Sequence, residues 1–247
     1  MQQQPVSFTI GLLIFPNVTQ LDFTGPFEVF ARIPGAKVHV LWKRIEPVTS
    51  DTGLTFLPTT TLDDCPELDV ICIPGGPGQI VMMDDEQILA FVREKGKHAK
   101  FVTSVCTGSL VLGAAGLLKG YKAATHWMSR DQLTYLGAIP VGSRIVIDRN
   151  RITGGGVTAG IDLGLYMASL LTNEQIARII QLGIEYHPAP PFNSGSPEDA
   201  GPETVAAIRQ RAATMLSERL AATKRAAERL GLQRLNTGEQ ATKPKGS

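Results

Sequence analysis

The chain has 247 residues, 43% of them apolar and 19% charged, with a formal net charge of +1. These are the values of a globular protein with a substantial core, and they give no electrostatic case for nucleic acid or an anionic membrane surface. Three unevenly spaced cysteines make no disulfide framework; with no secretory pattern at Met1-Gln-Gln-Gln-Pro5 and no apolar run that spans a bilayer, a cytoplasmic protein is expected.

Phe8 opens a nearly continuous apolar run to Phe15, the pattern of a central strand covered on both faces. Pro16-Asn17 ends it. After a short loop, Leu21-Asp-Phe-Thr-Gly-Pro26 leads into a short helix carrying Phe27, Val29 and Phe30, with Pro26 expected in its first turn. Residues 37–43 alternate as a second strand, and the Thr-rich stretch 54–62 suits an extended hairpin arm. Val70-Ile-Cys-Ile-Pro74 reads as another buried strand, followed at once by Gly75-Gly76-Pro77-Gly78. Residues 84–97 have helical periodicity, with Ile88, Leu89, Phe91 and Val92 on the inner side.

The next unit organises the rest. Phe101, Val102 and Val105 read as a short buried strand and residues 110–118 as an apolar helix, with Cys106 at the junction. A sharp strand-to-helix turn there lifts one side chain clear of the sheet, and Gly108 eases it. A thiol in that place lies at a helix N-terminus, whose free N–H groups and dipole favour the thiolate. The alternative is a small buried core cysteine. A position between strand and helix, inside neither, argues for the reactive reading.

Residues 122–125 form a short strand leading into His126-Trp127 and a helix to Leu136. Residues 145–147 and 151–153 flank Asp148-Arg-Asn150 as a hairpin. Gly154-Gly155-Gly156 opens a helix over 158–171, and another follows over 173–186. This alternation predicts an α/β fold: a doubly wound, mostly parallel sheet flanked by helices, flavodoxin-like, in a single domain over residues 6–232. Ligands of such sheets bind beyond the carboxyl ends of the strands. Asp22, Gly75-Gly76, Cys106-Thr107, His126-Trp127 and Gly154 to Gly156 all fall at such ends.

The Pro/Gly/Ser-rich stretch 187–200 is expected to lie over the surface as an ordered strap. Pro202 then starts a long C-terminal helix predicted to run unbroken to Leu230, with Gly231 as its stop. Val205, Ile208, Ala212, Met215, Leu216 and Leu220 make its apolar stripe. At ~1.5 Å per residue it reaches roughly 40 Å, so its far end is expected to meet a second subunit. The polar stretch 236–247 is expected to be a disordered tail.

A cysteine nucleophile needs an acid or base nearby and donors for developing charge. Thr107, not histidine, follows Cys106, and the carboxyl-terminal half has no His-x-Glu pair, so a Cys-His dyad or Cys-His-Glu triad has little support. His126 stands on the rim as either a pocket residue or a base. Asp22, between Leu21 and Phe23, is either a helix N-cap, as Thr24 also is by type, or an acid raised in pKa by burial and a neighbouring thiolate. The Gly76 and Thr107 N–H groups form a candidate anion hole, although a double glycine is also ordinary turn chemistry. Gly154 to Gly156 do not match the dinucleotide spacing, and no Walker-type lysine is present. Cys65 and Cys72 read as structural, and no cluster has metal-ligand spacing.

At these residues the sequence resembles the ThiJ/PfpI superfamily, and within it the branch of isonitrile hydratases. The resemblance lies in Leu21-Asp-Phe-Thr-Gly-Pro26, Ile73-Pro-Gly-Gly76, Thr103-Ser-Val-Cys-Thr-Gly-Ser109, Ala124-Thr-His-Trp127, Thr153-Gly-Gly-Gly-Val-Thr-Ala-Gly-Ile-Asp162 and Glu185-Tyr-His-Pro-Ala-Pro-Pro-Phe-Asn-Ser-Gly-Ser-Pro197. It implies a homodimeric, cofactor-independent enzyme that adds water to an isonitrile and releases the N-substituted formamide. It further implies Cys106 as nucleophile, Asp22 as acid and base where many relatives carry Glu, Gly76 and Thr107 as N–H donors, and Trp127 and His126 beside the substrate's R group. Related transcription regulators append a helix-turn-helix domain, for which this chain is expected to be too short. Two other classes stay open: a glyoxalase or deglycase-like enzyme acting on aldehydes through Cys106, and a redox or stress sensor in which Cys106 is oxidised.

Overall fold

Strand β1 (Phe8–Leu13) is the centre of the molecule, and its apolar run explains why: Ile10, Leu12 and Leu13 are fully enclosed between helices on both faces. The structure, a computed structural model, describes residues 7–232; the expected tail over 236–247 lies outside them. In chain order β1 is followed by α1 (Gln20–Phe30), β2 (Ala36–Trp42), β3 (Val48–Thr49), β4 (Thr55–Phe56), β5 (Thr60–Thr61), β6 (Val70–Ile73), α2 (Gln79–Met82) and α3 (Glu86–His98). Then come β7 (Phe101–Ser104), α4 (Gly108–Ala114), β8 (Lys122–Ala123), a 3₁₀ turn (Trp127–Ser129), α5 (Gln132–Tyr135), β9 (Ile139–Pro140), β10 (Ile145–Asp148) and β11 (Arg151–Gly154). Helices α6 (Ala159–Leu171), α7 (Glu174–Gly183), α8 (Pro197–Ala200), α9 (Pro202–Arg211) and α10 (Ala213–Arg229) complete the described chain.

The main sheet runs β10-β11-β7-β6-β1-β2-β5. Every pairing is parallel except the β10–β11 hairpin. This is the doubly wound, mostly parallel flavodoxin-like sheet with helices on both faces. Its parallel members β1, β6, β7 and β11 deliver Asp22, Gly75, Cys106 and Gly154 to one edge. Helix α3 shows how local chemistry sets an element: Asp85 caps it by accepting from the Ile88 N–H, and Ile88, Leu89 and Val92 face inward. Helices α1 and α6 cross closely because α6 has no side chain at the contact. A Cβ on Gly160 would lie 2.7 Å from Pro26 Cδ, and one on Gly164 2.8 Å from Val29 Cβ. No described helix is long and apolar enough to cross a membrane.

Several sequence expectations are corrected. Pro26 is not in the first turn but inside α1, which begins six residues earlier at Gln20; it leaves the Asp22 carbonyl without its helical donor. Residues 54–62 are no single arm: β4 pairs antiparallel with β3 in a separate ribbon, and β5 joins the main sheet as an edge strand beside β2. Lys122–Ala123 stays out of the main sheet and pairs with β9. The strap contains a short helix, α8, capped by Ser196. The long C-terminal helix is broken at Ala212, whose φ of −94° and ψ of 2° leave the helical basin. Neither proline nor glycine causes the break. Helix α9 buries no residue, whereas α10 turns to pack on α2, α4 and α5. The stripe that packs is also not the expected one: Arg219, Ala222, Thr223, Ala226 and Ala227 are buried, not Ile208 or Met215.

Candidate active site

Strand β7 ends at Ser104 and α4 begins at Gly108, so three residues must reverse the chain within van der Waals reach of β6. A Cβ on Gly108 would fall 2.0 Å from the Ile73 carbonyl oxygen, and only glycine fits. The strain is taken at Cys106, a non-glycine residue at φ +54°. Two hydroxyls hold it there: Thr125 Oγ1 donates to the Cys106 carbonyl at 3.0 Å and Ser109 Oγ does so at 3.2 Å. The turn is therefore the expected elbow, but its side chain is enclosed, with Cys106 6% exposed.

Asp22 reaches the same point from α1 and is 0% exposed. It is not a helix cap, since α1 starts at Gln20 and its Oδ2 accepts the Gly75 N–H at 2.9 Å. Its Oδ1 is buried with no nitrogen or oxygen donor, and the carboxyl faces the Cys106 thiol. Burial lifts the Asp22 pKa to about 7, against the opposing hydrogen bonds from Gly75 and Cys106. The Cys106 thiol is pushed well up, first by burial and then by the Asp22 charge, while the Thr107 N–H and Arg219 pull it down. The helix N-terminus does not make a free thiolate here, because desolvation outweighs it. Cys106 and Asp22 form a buried pair that retains a proton at neutrality.

Thr107, 2% exposed, turns its N–H toward the Cys106 sulfur and its Oγ1 to the Gly76 N–H at 3.2 Å. The Gly76 donor, expected to be open for an anion, is thus taken by the Thr107 hydroxyl. Gly76 sits at φ +122°, and a Cβ there would meet the Thr19 nitrogen at 2.3 Å. His126 and Trp127 stand one layer out. His126 lines a cleft with Thr125, Gly155, Gly156, Ser196 and Glu198. Burial and the Arg219 charge lower its pKa to about 4, and its Nδ1 accepts from the Met128 N–H, so it is neutral at physiological pH. Trp127 borders a second cleft with Arg130, Leu216 and Leu220, its ring 4.9 Å from the Arg209 guanidinium.

The structure thus brings Asp22, Gly76, Cys106 and Thr107 together and leaves His126 and Trp127 on the rim. Sequence reasoning missed the tether from Gly75 to Asp22, the Thr125 hydroxyl, and Arg219 with its partners Gln79 and Ser129. Arg219 carried a signal, a cation spaced three and four residues from Ala222 and Thr223 on a small-residue stripe. Among the described residues no group of three or more His, Cys, Asp or Glu side chains could hold a metal ion.

Fold and site together define an α/β protein whose candidate nucleophile is a cysteine on a strained strand-to-helix elbow, backed by a buried carboxyl. The chain belongs to the DJ-1/PfpI family, whose model matches residues 9–170. It is 54% identical to the isonitrile hydratase of Pseudomonas putida over 92% of this chain and 100% of that one. It is 29% identical to the HTH-type transcriptional regulator GbdR of Pseudomonas aeruginosa over 64% of this chain, which spans only 45% of that regulator. A ThiJ/PfpI family protein from Pseudomonas syringae superposes with a TM-score of 0.86 at 45% identity, covering 88% of this chain and 91% of the other. DJ-1beta of Drosophila melanogaster shares the fold at 22% identity, with a TM-score of 0.67 and coverage of 73% of this chain and 98% of its own.

Proposed function

We propose that the protein hydrates an isonitrile, R–N≡C, to the N-substituted formamide. The observation that carries this reading is the buried Asp22–Cys106 pair, in a chain 54% identical along nearly its whole length to an isonitrile hydratase. An isonitrile carbon accepts both a nucleophile and a proton, and the pair supplies one of each. The Cys106 sulfur attacks the terminal carbon while the proton held with Asp22 passes to that same carbon, giving the thioimidate R–N=CH–S–Cys106. The Asp22 carboxylate then takes a proton from water as its oxygen adds to the carbon, and passes that same proton to the nitrogen. The adduct R–NH–CH(OH)–S–Cys106 expels the sulfur, leaving R–NH–CHO, and the hydroxyl proton returns to the pair. The Thr107 N–H faces the sulfur throughout; the Gly76 N–H serves the developing charge once the Thr107 hydroxyl releases it. Trp127 and His126 border the space for R.

The test is direct: the protein is mixed with an alkyl isonitrile and, separately, with methylglyoxal, and formamide and lactate are followed. Formamide without lactate is expected. Lactate without formamide would move the assignment to the aldehyde class.

The working enzyme is read as a homodimer. Helix α9 buries nothing in its own chain, with Ile208 41% exposed, and on α6 and α7 Tyr166, Ile179 and Leu182 are 49%, 56% and 81% exposed. Sedimentation at micromolar concentration is expected to give twice the chain mass. Three unbridged cysteines support a cytoplasmic location.

A further inference from the structure

Arg130 follows the 3₁₀ turn that carries Trp127 and is half-buried. Among the described residues its side chain has neither a hydrogen-bond nor an ion-pair partner, and its Nε is shut away from solvent with no acceptor. A charged donor stripped of water and left unpaired is costly. The guanidinium lies against Gly142, where a Cβ would fall 3.0 Å from Nη1 and 3.2 Å from Cζ. A cation is therefore held at the rim of the site with no charge of the chain to answer it.

Arg130 and Trp127 stand on both clefts of that rim. The cleft toward the elbow, about 390 Å³ in volume, also has Thr125 and His126 in its wall, and the Thr125 hydroxyl reaches the Cys106 carbonyl at 3.0 Å. The space given above to the R group is this cleft. His126 is neutral at physiological pH. Arg144, on the same wall, is balanced by Asp162, whose Oδ2 accepts from its Nε at 2.6 Å. Glu198 is an exposed acid on the strap side. A monoanion entering the cleft is thus answered by Arg130, whereas the second charge of a phosphate monoester meets Glu198 and no further free cation. The other cleft carries Asp131 and Arg209, one charge of each sign.

We propose that the substrate's R group ends in a carboxylate and that Arg130 binds it: the substrate is an isocyano carboxylate with its isonitrile carbon at Cys106 and its acid end at Arg130. The planar two-oxygen acceptor matches the planar fork of guanidinium donors, which favours a carboxylate over other monoanions. One water is taken up, ⁻OOC–R′–N≡C becoming ⁻OOC–R′–NH–CHO, and the carboxylate is unchanged throughout. It anchors the far end of the substrate equally before and during attack, so its contribution falls on KM. The isonitrile end rests on the hydratase reading; the carboxylate end does not.

The experiment gives the full chain a series of ω-isocyanoalkanoates of graded length, each paired with its methyl ester, at neutral pH. For the best-fitting length the wild type is expected to prefer the acid by roughly 10–100-fold in kcat/KM, the range for hydrogen bonds to a charged group, with the difference in KM. In Arg130→Gln, or Arg130→Met if Gln prevents folding, that preference should collapse to parity, and Arg130→Lys should recover part of it. An arginine with a merely structural role would move acid and ester together. Equal wild-type turnover of acid and ester, or a folded variant lacking the charge that keeps the preference, would overturn the proposal and leave the hydratase reading standing. Binding is read separately by calorimetry with the ω-formamidoalkanoate, which needs no turnover, against its methyl ester and inorganic phosphate. Arg130-dependent binding of the acid by a protein that turns over no isonitrile would support the carboxylate site and overturn the hydratase reading alone. Phosphate bound through Arg130 as tightly as the acid would overturn the assignment to a carboxylate.

Discussion

Helix α10 carries arginines in two opposite situations. Arg225 and Arg229 lie on the surface and clamp Asp84 with contacts of 2.5 and 2.7 Å, and Arg229 also donates to the Met83 carbonyl. Burial alone would raise the Asp84 pKa, but the two arginines outweigh it and hold the carboxyl below its usual range. Arg219, two turns earlier, is buried and meets only neutral partners. The surface clamp closes its charge balance locally. It docks the helix and contributes on the order of 0–1 kcal/mol per exposed pair. The buried arginine has no carboxylate partner among the described residues and docks the helix instead through Gln79 beyond the Gly76 loop and Ser129 of the 3₁₀ turn. A charge answered by a fixed partner is structural.

The sharpest break in that comparison comes from the nucleophile. Cys106→Ala is expected to abolish isonitrile turnover while thermal unfolding shows an intact fold, and Cys65→Ser, away from the pair with its Sγ donating to the Pro66 carbonyl at 3.4 Å, should keep near-native rates. Native turnover by Cys106→Ala would end the cysteine mechanism.

Asp22→Asn comes next, with a loss of roughly 10²–10⁴ in kcat because the amide has no transferable proton. Stability should move the other way. The Asp22 pKa is about 7 in the folded chain against 3.8 for a free aspartate, so its stabilising contribution is present at acid pH and lost as pH rises through about 7. At ~1.4 kcal/mol per unit, ionisation costs on the order of 4 kcal/mol, and Asp22→Asn should melt higher than wild type above neutrality with no such gain in acid. A folded variant with native turnover would return Asp22 to a structural role.

A smaller effect is the pH profile of the wild-type enzyme. A pair holding both protons is inert and one holding a single proton is active, so turnover should rise as pH climbs through about 7. A flat rate from mildly acid to mildly alkaline solution would contradict that assignment. The smallest belongs to the clamp: Arg225→Ala should cost about 1 kcal/mol or less in chemical denaturation, diminishing with salt, and leave kcat untouched. A large change in kcat would erase the distinction between the two ends of α10.

The sequence by itself determined the main strands and helices of the central sheet and their order, because each of these is written in local chemistry. The apolar run of β1, the Asp85 cap of α3, and the strand-turn-helix pattern with Gly108 after Cys106 are all legible within a dozen residues. The choice of an α/β sheet and of Cys106 over Cys65 and Cys72 follows from those patterns. What the tertiary structure alone decided depends on residues distant in sequence meeting in a dry place. Asp22 turned out to bind the Gly75 N–H instead of capping its own helix, and the Gly76 N–H went to the Thr107 hydroxyl. Arg219 found Gln79 across 140 positions of chain. Periodicity predicted an unbroken helix and the wrong stripe, since it registers apolar spacing but not which face has a neighbour. The protonation of the site was equally out of reach: a thiol beside a helix start reads as a thiolate until burial is known, and it is desolvation by the assembled fold that keeps the proton on the pair.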